Sequence, residues 1–139
     1  MNELREVEQN IFSNARADYA SLDHAQRIVY LVACYVAAVN NGGHASFFYN
    51  SPGELASETV EALLETGVAS QAKLLQQCIR QFPRSFVPSG IDERNVAFNS
   101  LPDRAHNIME ICDRKFYLES KDERDKRVLA FWNRSQSKV

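Results

Sequence analysis

Three histidines, three cysteines and a spaced set of glutamates are the side chains here that could carry chemistry. His24, His44 and His106 lie far apart, and none has a second histidine, a cysteine or a carboxylate at metal-ligand spacing on its own helical stretch. His24 near a helix start and His106 on an outer face read as solvated residues. Cys34, Cys78 and Cys112 stand among apolar neighbours with no C-x-x-C pair, the pattern of buried free thiols in a reducing compartment. No strained turn presents a nucleophile for a Ser-His-Asp or Cys-His arrangement. The pair Gly42-Gly43 is followed by no lysine and preceded by no strand, so it is not a phosphate loop. The expectation is a protein with no catalytic residue, no metal and no cofactor.

The stretch from Val39 to Gly53 still concentrates polar and aromatic groups: Asn40, Asn41, Gly42, Gly43, His44, Phe47, Phe48, Tyr49 and Asn50. Asparagine amides bond to backbone groups that a tight helix–turn–helix leaves unpaired, which gives a structural reading. The other reading is a polar cleft in which His44, the amides and Tyr49 hold a small ligand or serve an enzyme.

A sharper surface signal follows. Glu54, Glu58, Glu61 and Glu65 are spaced by four, three and four residues. On a continuous helix they fall within about 60° of one another, along a line of roughly 16 Å. From Asn40 to Ala72 there is no lysine or arginine. Such like charges repel slightly, and a surface selected only for stability would mix in lysine. The plain reading is a solvated face. The functional one is an acidic ridge for a basic protein surface, with carboxylates about 5–6 Å apart against roughly 7 Å between phosphates on a DNA strand. In the C-terminal half, Arg114, Lys115, Lys121, Arg124, Lys126, Arg127 and Arg134 are interleaved with Glu119, Asp122, Glu123 and Asp125. That mixture predicts a salt-bridged face and no direct nucleic-acid binding.

Helices must position these groups. Leu4, Val7, Ile11, Ala15 and Tyr19 step by three and four, marking an amphipathic helix over 2–19. Ser21 or Asp23 caps the next, 23–40, which is apolar nearly all round and therefore central. Gly42-Gly43 ends it, and a short helix carries Phe47 to Tyr49. Ser51-Pro52 opens the ridge helix, with Glu54 completing a capping box, and Gly67 stops it. Ser70 caps a helix over 71–82. Pro83 and Pro88 bracket a loop, and a brief helix occupies 92–98. Ser100 with Pro102 opens 102–117. The last helix, 121–133, buries Val128, Leu129 and Trp132 and pairs Asp122 with Lys126 and Glu123 with Arg127. The expected fold is all-α: one compact domain, 1–134, of six or seven helices around a buried central helix, with a disordered tail at 135–139.

Bulk properties agree. A chain of 139 residues, 45% hydrophobic and 24% charged, suits one globular domain. Residues 1–70 hold nine acids and three bases (−6), and residues 71–139 hold nine acids and thirteen bases (+4). The N-terminus lacks a signal-peptide layout. The longest apolar run, Ile28–Val39, is too short for a membrane span of about 20 residues. The expected location is the cytoplasm.

Asn40–Gly43, Phe47-Phe48, Asn50, Glu58–Leu63 (Glu-Thr-Val-Glu-Ala-Leu), Gly67 and Phe82-Pro83 stand in the order found in the bacterial DNA-mimic protein family, which this chain resembles over about 22–85. The resemblance implies a helical domain. It also implies a role like that of the family's typifying member, an acidic dimer that occupies the DNA-binding surface of a helix-turn-helix transcription factor. The partner it implies is a basic regulator, and a homodimer is compatible with it. With net charge −2, the ridge is the one local feature suited to that part. An immunity-type protein with a toxin as target would share the same acidic face.

Overall fold

The computed structural model describes residues 2–137. Seven α-helices follow in order: α1 (Asn2–Asp18), α2 (His24–Tyr49), α3 (Ala56–Glu65), α4 (Ala69–Ile79), α5 (Ile91–Asn99), α6 (Asp103–Leu118) and α7 (Lys121–Gln136). There is no strand among the described residues. The all-helical expectation is met.

α2 is the axis, and it packs against α1, α3, α5, α6 and α7. Its first half is apolar nearly all round and mostly buried, with Ala33, Val36 and Ala37 bordering a groove. Ile28, Val29, Leu31, Val32, Tyr35, Ala38 and Val39 are all buried in one core with Leu63, Leu75, Met109, Phe116 and Val128. Asp23 starts α2 with a capping box: its carboxylate accepts from Gln26 N at 2.8 Å, and its own N donates to Gln26 Oε1 at 2.9 Å. Gly42 and Gly43 break the helical path, after which the chain turns helical again through Phe47 and Phe48 to Tyr49.

Several helix starts differ from expectation. Ser51 caps nothing; a 3-10 turn, Ser51–Leu55, precedes α3, so Glu54 stands on that turn and not on the ridge helix. Ser70 lies inside α4 and donates to Glu119 Oε1, and no side chain caps that helix. Ser100 donates to Val96 O at 2.8 Å, closing α5 instead of opening α6. For Ser70 and Ser100 a tertiary or preceding-helix acceptor takes the hydroxyl before the downstream amides do.

Ser120 does cap α7, accepting from Glu123 N at 3.1 Å. That helix runs on to Gln136, where Ser135 donates to Phe131 O, so residues 135 and 136 are helical and not part of a tail. The expected tail positions 138–139 lie outside the described residues. Phe131 is buried beside Val128, and Leu129 and Trp132 are only half-buried. Glu123 pairs with Arg127 at 3.4 Å as expected, while Asp125, not Asp122, makes the second pair, with Lys121 at 2.7 Å. No helix is long and apolar enough to cross a membrane among the described residues.

Candidate partner-binding face and the glycine turn

Gly42 has extended backbone (φ −173°), which any residue adopts, but Gly43 has φ +73° and needs glycine. A second constraint acts at the same place. A Cβ on Gly43 would run into the Asp113 carboxylate, which comes from α6. That carboxylate approaches because Oδ1 accepts from His44 N at 2.8 Å and from His44 Nδ1 at 2.6 Å. With Nδ1 donating to the carboxylate, Nε2 is the acceptor, and the Tyr35 hydroxyl donates to it at 2.7 Å. Burial pushes the Tyr35 phenol well above its ordinary range, which keeps it the donor.

Tyr35, His44 and Asp113 thus form a continuous polar chain. It has the donor order of a proton relay, yet His44 has no solvent-accessible surface, so no substrate reaches either ring nitrogen. What the chain can do is pin the second half of α2 to α6. Tyr117, also on α6, donates to Val39 O at 2.6 Å, in the last turn before the break.

A second pin comes from Arg94, a residue the sequence reading did not single out. Its side chain is buried and donates to Phe48 O at 2.6 Å, Asn50 O at 2.7 Å, Ser89 O at 2.8 Å and Pro88 O at 3.1 Å. Its positive charge therefore sits at the C-terminal end of α2, where helix carbonyls favour a cation. Gly53 leaves the room: a Cβ there would lie 2.7 Å from Arg94 Nε and 2.8 Å from Phe47 O.

The residues of the turn do not share a cleft. Phe47 and Phe48 are fully buried in an aromatic stack with Tyr35 and Phe82, at centroid distances of 5.0–5.4 Å. Tyr49 donates to Asn99 Oδ1, and Asn50 Nδ2 donates to Ser46 O at 2.7 Å. Asn41 is exposed. Asn40 borders a separate groove of about 370 Å³ between α1, α2 and α7. The amides, the histidine and the aromatics point to different places, and most are spent on packing or backbone bonds.

The acidic side chains stand differently. Glu54, Glu58, Glu61 and Glu65 are all exposed. Glu58, Glu61 and Glu65 share the outer face of α3, whose inner face buries Ala56, Thr59, Val60, Ala62 and Leu63. Among the described residues none of the four pairs with a lysine or arginine; Glu65 meets the exposed His24 Nε2 at 2.8 Å. Three basic residues of α7, Lys121, Arg124 and Arg127, are engaged elsewhere. Arg127 pairs with Glu123 and donates to Gly67 O at 3.3 Å, and Arg124 is buried over the Phe116 ring at 5.6 Å.

Cys34 is half-buried and Cys78 and Cys112 are buried, all three free. Hydrogen bonding to Cys112 together with burial pushes the Cys78 thiol up, away from thiolate reactivity. His106 is not a solvated residue; its ring packs edge-on against Phe98 at 4.9 Å. No group of three or more histidine, cysteine or acidic side chains is placed to hold a metal ion among the described residues.

A family model described as DMP19-like protein matches residues 20–136. No curated protein matches the chain, and no solved structure does.

Proposed function

Because the chain belongs to the DMP19-like protein family, the DNA-mimic family that its glycine turn and ridge helix resemble, we propose that it is a non-catalytic binding protein whose acidic face occupies a basic surface on a DNA-binding regulator. The observation that carries this reading is the state of Glu58, Glu61 and Glu65 on α3 with Glu54 beside them. All four are solvent-exposed, and among the described residues none forms an ion pair with a lysine or arginine, although Glu54 feels the charge of the buried Arg94. Carboxylates left uncompensated on one rigid face act at a distance on a cationic surface, speeding and orienting its approach. With a net charge of only −2, the chain imitates a short stretch of phosphates and not a long duplex.

The test is retention of partners from an extract of the source cells on immobilised protein, at low and high salt, in parallel with Glu58→Lys/Glu61→Lys. A DNA-binding protein held at low salt, released at high salt and lost with the double variant supports the proposal. An identical retained set on the double variant rules it out.

A further inference from the structure

We infer that the acidic face is half of a composite docking site, and that one amphipathic helix of the partner seats in the groove between α3 and α4. This rests on the ridge reading and extends it from charge to shape. The groove holds about 450 Å³ and is lined by Val60 and Leu64 of α3 and Ile79 of α4. Leu64 is 55% exposed, between Glu61 and Glu65 in sequence, whereas Leu63 beside it is fully buried. A surface meant only to repel its own kind and attract cations has no use for a leucine at that position. The loop after α4 closes one end through Ser85, and the next residue, Phe86, is 66% exposed.

The chemistry of the two lips selects the occupant. Glu61 lies on the α3 lip, in line with Glu58 and Glu65. Arg80 lies on the α4 lip and makes no ion pair among the described residues. The complementary object is a helix with basic side chains along the flank facing α3, a carboxylate along the flank facing α4, and apolar side chains between them. Val60 and Leu64 are one turn apart, about 6 Å, which suits a pair of apolar residues at i and i+3 or i+4 of the incoming helix. A duplex-like electrostatic surface alone would accept any cation. The groove adds the requirement for a hydrophobic stripe.

The experiment uses the intact protein and two synthetic peptides of about five helical turns, followed by fluorescence anisotropy. One peptide carries leucines along one stripe, lysines on one flank and glutamates on the other; the second has the same charges with serines for leucines. The leucine peptide is expected to bind about tenfold tighter, the least that burying one aliphatic side chain contributes. Leu64→Glu is expected to weaken it about tenfold although the variant is more acidic. Leu64→Ala, with helicity checked by circular dichroism, should weaken it in the same direction. Unchanged or tighter binding by Leu64→Glu, equal binding of the two peptides, or no binding by the wild type overturns the groove. Loss of both peptides with Glu58→Lys/Glu61→Lys, alongside an inert Leu64→Glu, leaves the ridge standing without the groove. If the double variant also binds both peptides as before, the ridge falls with it.

Discussion

His44 and Asp113, 69 positions apart, are joined by two hydrogen bonds that one carboxylate oxygen accepts, from the ring at 2.6 Å and from the backbone amide at 2.8 Å. The carboxylate fits because the residue before His44 has no side chain. Removing it as Asp113→Ala leaves a buried ring nitrogen and a turn amide without acceptors, which should cost about 3 kcal/mol. For a domain of this size the melting temperature should fall by roughly 10 °C. Asp113→Asn keeps an acceptor in place and should lose much less. Thermal unfolding by circular dichroism separates the two; equal, small losses would mean that the pin contributes nothing.

Gly53 and Arg94 make a matched pair of the same kind. Gly53→Ala should destabilise by about 1–3 kcal/mol, because two of the atoms it meets within 3 Å, Phe47 O and Phe48 Cα, belong to a packed backbone that cannot move aside. Arg94→Met should cost about 3 kcal/mol or more, since four carbonyl oxygens lose a charged donor together. Urea unfolding midpoints measure both.

Glu8 faces the groove between α1 and α7, where burial, with Asp125 nearby, raises its carboxyl pKa above the ordinary carboxylate range. Between the unfolded and folded values the folded chain binds more protons, so stability falls as pH rises through that window. Glu8→Gln should therefore raise the melting temperature at pH 7 and leave it unchanged at pH 4. The gain is small, because the side chain is partly exposed and screened. A variant that is less stable at pH 7 would contradict the sign.

The ridge carries no comparable structural duty. Glu58→Lys/Glu61→Lys should leave helicity intact and change stability by no more than about 0.5 kcal/mol, since both side chains are exposed and lose only like-charge repulsion. A large loss of stability would place these glutamates among the groups that hold the fold.

Much of the architecture was legible in the residues themselves. The apolar run at 28–39 fits only a central helix, paired glycines interrupt it, and glutamates at three- and four-residue steps on α3 face water as their period requires. What stayed hidden depends on partners distant in sequence. Arg94, in the polar string Ile-Asp-Glu-Arg, looks like any surface arginine until Gly53 and the end of α2 are brought against it. Asp113 likewise follows an ordinary amphipathic pattern on α6. Ser51, Ser70 and Ser100 are good capping residues by type, but other acceptors or a 3-10 turn claimed those positions. The same contacts account for Gly43 and His44 without a ligand: Gly43 leaves room for the Asp113 carboxylate, and His44 joins it to Tyr35.

The most direct measurement is the affinity of the retained DNA-binding partner for wild type and for Glu58→Lys/Glu61→Lys over a series of salt concentrations. Wild-type binding is expected to weaken steadily as salt rises, and the double variant, folded as before, to bind at least tenfold more weakly at low salt, with little salt dependence left. Equal affinities and equal salt slopes for the two proteins would contradict the proposed role of the ridge.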